Sequence, residues 1–173
     1  MKRLLATILL SAALVQPAWA QKGAGAREPD PIVQFSDEDA AMNAAIASAR
    51  ATYPQFLAAF NAAPARDAEN YMVKVGMVAS GGGHEHIWVS NLRREGERLF
   101  GQLANEPQGL PGLHLGSRVE IDHELVSDWA IMSAEGMYGS YTTRVMLPHI
   151  DPNEAAQLRQ MLTPSPTPAH WSS

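Results

Sequence analysis

The hydrophobic pattern of this chain changes period once, near its middle, and that change decides which folds are open to it. Before residue 62 the apolar side chains recur at helical spacing. Ala40, Ala41, Ala44, Ala45, Ile46 and Ala49 form one stripe, and Phe56, Leu57 and Phe60 form another. Ser36 followed by Asp39 reads as a capping box, with Asp37 and Glu38 suited to the positive helix end, so a helix is predicted over 37–50. A second helix is predicted from Thr52, with Pro54 in its first turn. From Tyr71 the period becomes two. Val73, Val75 and Met77 alternate with Met72, Lys74 and Gly76.

The alternation continues in short segments broken by turn residues. Ile87 and Val89 alternate with His86, Trp88 and Ser90 after the glycine-rich turn at 80–83. Glu95-Gly96 makes a tight hairpin into a strand with Leu99, Gly101 and Leu103 on one side. A loop over 105–116 leads to strands marked by Val119 and Ile121, then by Trp129 and Ile131. The segment 138–147 fits either a strand or a short helix capped by Ser140. Asp151, Pro152 and Glu154 start a last helix with Leu158, Met161 and Leu162 as its stripe. The order helix–helix–sheet–helix predicts an α+β domain over 36–162, a bent, mainly antiparallel sheet packed by N-terminal helices and a C-terminal helix. Residues 163–173, with three prolines and no periodicity, read as a disordered tail whose removal should leave the melting temperature nearly unchanged.

The N-terminus reads as an address. Lys2 and Arg3 precede an apolar run over 4–15, and Ala18 and Ala20 supply a small-residue cleavage site, so a signal peptide over 1–20 is predicted, cut after Ala20. About a dozen apolar residues are too few to span a bilayer of about 30 Å, so no stable membrane anchor is expected once the leader is removed. Residues 21–35 then form a flexible lead-in. The expected location is the periplasm or outside the cell. The net charge of −5 becomes −7 without Lys2 and Arg3, a poor balance for nucleic acid. With no cysteine, disulfides and cysteine-based metal or nucleophile sites are excluded.

Several runs resemble a bacterial family known as a domain of unknown function, number 2314, which includes the YegJ-like proteins. They are Met72-Val73-Lys74-Val75-Gly76, Glu85-His86-Ile87-Trp88-Val89-Ser90-Asn91, Gly101-Gln102-Leu103-Ala104-Asn105-Glu106-Pro107, Pro111-Gly112-Leu113-His114-Leu115-Gly116, Ser127-Asp128-Trp129 and Gly139-Ser140-Tyr141-Thr142-Thr143-Arg144. The resemblance implies a compact α+β domain and export. It implies no reaction.

The residues offer three kinds of chemistry. If Ile87 and Val89 face the helices, His86 and Trp88 face a groove, and an aromatic beside a polar group suits a ligand or peptide. Asn91, Asn105, Asp128, Trp129 and Arg144 complete the candidate ligand-binding set, and Asp128 is suited either to cap a short turn or to pair with Arg144. Second, His84, Glu85 and His86 beside the glycine run could open a metal site, with His114, His123 or Asp122 as a further ligand and a metal-assisted hydrolase as the outcome. Third, Ser90, His86 and Asp128 could form a nucleophilic triad. The leading expectation is a non-enzymatic binding or accessory module for a protein segment or small polar ligand, with no cofactor. An immunity or inhibitor protein against an envelope toxin is a further alternative, suited by the acidic charge.

Overall fold

In the computed structural model, which describes residues 39–172, a helix of 23 residues, α1 (Ala40–Ala62), lies across one face of the sheet. The expected leader, the lead-in and the Ser36 cap lie outside the described residues. The cap of α1 is Asp39, whose carboxylate accepts from the Met42 N–H at 2.8 Å. Two helices were expected here, and one forms, because Pro54 sits inside it without ending it. Proline removes one helical hydrogen bond. The turn before it is held by other donors: Thr52 Oγ1 donates to the Ser48 carbonyl at 3.0 Å, and Trp129 Nε1 donates to the Ala49 carbonyl at 3.1 Å. Buried Tyr53, Phe56 and Phe60 then carry the helix over the sheet.

Six strands follow: β1 (Tyr71–Val78), β2 (His84–Glu95), β3 (Arg98–Leu103), β4 (Arg118–Glu120), β5 (Val126–Ser133) and β6 (Gly136–Gly139). They form one antiparallel sheet in the order β4-β3-β2-β1-β5-β6, with β4 and β6 as its edges. The protein is α+β. Its core lies between α1 and one sheet face, where Val73, Val75, Ile87, Val89, Leu99 and Trp129 meet Ala49, Tyr53 and Phe56.

Two β-bulges break the alternation. Ser90 pairs with Gln102 and Arg93 with Phe100, so β2 spends three steps where β3 spends two. Before this bulge the even residues His86, Trp88 and Ser90 face away from α1. After it Leu92 is buried, and Asn91, Arg93 and Glu95 take the outer face. Asn91 makes the phase change with a left-handed backbone, φ 50°. Gly101 lies opposite because a Cβ there would stand 2.5 Å from Val89 Cγ1 and 2.7 Å from the Ser90 carbonyl. The second bulge is on β5. Lys74 pairs with Asp128 and Val75 with Val126, leaving Ser127 as the extra residue.

The segment left open between strand and helix is both. β6 ends at Gly139, and α2 (Tyr141–Met146) follows a left-handed Ser140, φ 52°. Ser140 makes no capping bond. α3 (Pro152–Met161) starts at Asp151 as expected, its carboxylate accepting from the Asn153 N–H at 2.8 Å. Residues 163–171, read from composition as disordered, instead run back along β6. Thr163 is buried and its N–H donates to the Met137 carbonyl at 3.1 Å; the Pro166 carbonyl accepts from Gly139 at 2.7 Å. The Trp171 ring ends against Trp129, centroids 5.2 Å apart. The anchors are long-range, so local composition does not reveal them.

Candidate functional site

The sheet face turned away from α1 carries the polar side chains. Ile87 and Val89 are buried under α1, whereas His86 is exposed and Trp88 half-buried on the other side. Across the strands, Asp128, Lys74 and Trp88 stand in one register row. The Lys74 ammonium lies 5.0 Å from the centre of the Trp88 ring and donates to Thr142 Oγ1 at 3.0 Å. Burial pushes Lys74 below the usual lysine range, and the Asp128 charge works against that.

Asp128 is fully buried and spends its carboxylate on α2. Oδ1 accepts from the N–H groups of Trp129 (2.8 Å) and Tyr141 (3.1 Å). Oδ2 accepts from the Thr142 N–H (2.8 Å) and hydroxyl (2.7 Å). Asp128 therefore caps α2 from a neighbouring strand. Burial pushes its carboxyl above the usual range, against the pull of the Thr142 hydrogen bonds and the Lys74 charge. Of the two roles open to Asp128 in the sequence, the cap forms and the ion pair with Arg144 does not. Arg144 donates instead to the carbonyls of Gly139 (3.0 Å) and Thr163 (2.9 Å), tying α2 to the C-terminal segment.

The other sequence candidates separate. Trp129 is a core residue, fully buried under α1. Asn91 lies at the outer bulge and donates to Gln102 Oε1 at 2.8 Å. Asn105 begins the loop whose preceding residue, Ala104, donates its N–H to the Trp88 carbonyl at 2.8 Å. His86 meets the Oγ of Ser127 at 2.8 Å, not Ser90, and Asp128 is committed to α2, so the imagined triad is not assembled. Ser127 is itself fully buried.

The candidate metal ligands also diverge. Glu85 holds the loop through the N–H groups of Gln108 (2.9 Å) and Gly109 (2.7 Å). His123 Nδ1 meets the Tyr53 hydroxyl at 2.8 Å, His114 Nδ1 lies 2.9 Å from the Leu115 carbonyl, and Asp122 caps the turn at Glu124. Among the described residues, no three His, Cys, Asp or Glu side chains converge on a point that suits a metal. Lys74, Ser127, Thr142 and Gln102 join the site only in three dimensions. All four lie in the family-like runs, but only Lys74, a lysine inside an alternating strand, carried a signal of its own.

With this geometry in hand, comparison with known proteins gives a family. The chain belongs to the family described as an uncharacterized protein conserved in bacteria (DUF2314), whose model matches residues 39–162. That span contains both bulges and the whole polar face. The chain is also similar to a putative ankyrin repeat protein of Neisseria meningitidis serogroup B, 31% identical over 62 residues, covering 36% of this chain and 24% of that protein. The chain thus spans about a quarter of that relative's length. No solved structure matches. Among the described residues, no helix is long and apolar enough to cross a membrane.

Proposed function

We propose that this protein is an exported, non-enzymatic binding or accessory module of YegJ-like type. Its outer sheet face receives a protein segment or small polar ligand in the periplasm or outside the cell. The observation that carries this reading is the position of Trp88. A large aromatic ring stands half-exposed on the face opposite α1, with the Lys74 ammonium between it and α2 and exposed His86 next along the strand. Half-exposed aromatics among polar groups are the usual anchors of recognition surfaces. The rigid parts of the face are already satisfied internally, which leaves its side chains preorganised rather than reactive. The metal-assisted hydrolase alternative draws no support from the geometry, since Glu85 is spent on loop amides.

Affinity capture from an envelope extract tests the reading, with wild type, Trp88→Ala and His86→Ala immobilised in parallel. A partner retained by the wild type and lost from both variants is the expected result. Identical retention by all three refutes the assignment to this face.

A further inference from the structure

Beside Trp88, across the Ser90–Gln102 pairing, the outer bulge opens a shallow concavity of about 380 Å³ lined by Asn91, Arg93, Glu95, Gly101, Gln102 and Arg118. We propose that this concavity binds the free carboxylate end of a peptide, reading the carboxylate with Arg93 and the adjoining amide with the Asn91–Gln102 pair.

Three features carry the proposal. The first is charge. Two guanidiniums face one carboxylate in the lining, which leaves a positive excess that one ligand carboxylate neutralises. Arg118 is already committed: it pairs with Glu95 at 2.7 Å and lies 4.1 Å from the centre of the Phe100 ring, which fixes its plane. Arg93 makes no hydrogen bond or ion pair among the described residues. Its planar fork of donors matches a carboxylate.

The second feature is the amide pair. Asn91 Nδ2 donates to Gln102 Oε1, which leaves Asn91 Oδ1 as an acceptor and Gln102 Nε2 as a donor on the same rim. An acceptor beside a donor is the complement of one peptide group. The third is construction. Asn91 reaches this rim only through its left-handed backbone at the bulge, and Gly101 is the residue that lets the bulge close over β3. Strained positions of this kind collect at ligand sites. The volume lies at the small end of ligand pockets, which suits a terminal residue or two rather than a long segment.

The inference rests on the binding-module reading and names its ligand class. The test is titration of the purified protein with N-acetyl-alanyl-alanine, following the side-chain amide NMR signals of Asn91 and Gln102. The C-terminal amide of the same dipeptide, and acetate, serve as the other arms. Saturable shifts of both signals are expected with the acid form. Binding should be weaker by about tenfold or more with the amidated form, with acetate, and with Arg93→Gln or Gln102→Glu protein. Arg93 is exposed, so its variant should melt as the wild type does. Equal binding of the amidated dipeptide overturns the reading of the carboxylate. Equal binding of acetate overturns the reading of the amide, and no binding at millimolar dipeptide overturns the site. If the dipeptide fails while capture through Trp88 and His86 persists, only this inference falls; if both fail, the binding-face reading falls as well.

Discussion

The two bulges of the sheet are the same backbone device put to opposite uses. Each inserts one residue and turns two consecutive polar side chains to the face opposite α1: Ser90 and Asn91 on β2, Ser127 and Asp128 on β5. On β5 both side chains are fully buried, and both carboxylate oxygens of Asp128 accept hydrogen bonds, from Trp129, Tyr141 and Thr142. On β2 the pair stays near solvent and borders a concavity in which the Arg93 guanidinium makes no hydrogen bond or ion pair among the described residues. The β5 bulge fixes where α2 starts, and the β2 bulge shapes a surface. Polar residues at a bulge therefore report function only where their hydrogen bonds are left unspent.

Breaking the β5 bulge should have the largest effect. Asp128→Ala strands the N–H groups of Tyr141 and Thr142 and leaves the Lys74 ammonium without its buried counter-charge. A loss of about 3–5 kcal/mol in chemical denaturation is expected. Gly101→Ala attacks the β2 bulge through the clash with Val89 and the Ser90 carbonyl, and about 2–3 kcal/mol should be lost. The same variant should also blunt ligand binding at Asn91, which separates it from Asp128→Ala once both are compared under conditions where each is folded.

Deleting residues 163–173 comes next. It removes the Trp171–Trp129 contact and the carbonyl that Arg144 holds, so the melting temperature should fall by several degrees, for about 2 kcal/mol of lost packing. An unchanged melting temperature would restore the disordered-tail reading. The smallest effect is on pH dependence. The Asp128 carboxyl is raised in the folded state, so the fold binds its proton more readily than the unfolded chain does. Stability from this group therefore grows as pH falls through the folded pKa towards the ordinary aspartate value. The wild type should gain on Asp128→Asn over that window in paired melts, and a wild type that loses stability relative to the variant as the pH falls contradicts this.

Much of the sheet was legible in the sequence. Alternation set Ile87 and Val89 on the face opposite His86 and Trp88, the structure turns the first pair towards α1, and Glu95-Gly96, Asp151 and Pro152 marked real boundaries. Period-two reasoning assumes a constant phase, however, and both bulges violate it. That is why alternation alone does not bring Gln102 and Ser127 to the site. Pro54 read as a helix start because the bonds that carry α1 through it come partly from Trp129, 80 residues away in sequence. Trp129 and Arg144 stand in the candidate ligand set by residue type and by their place in the family-like runs. Their partners, Ala49 and Thr163, are set by tertiary structure.

The most direct test of the central claim, that the face opposite α1 is the recognition surface, is photocrosslinking in living cells. A photoreactive amino acid would replace Ser90, which faces outward beside Trp88, or Arg66 in the turn that follows α1. The account predicts a discrete adduct from position 90 and none from position 66. The same adduct from both positions, or from position 66 alone, would contradict it.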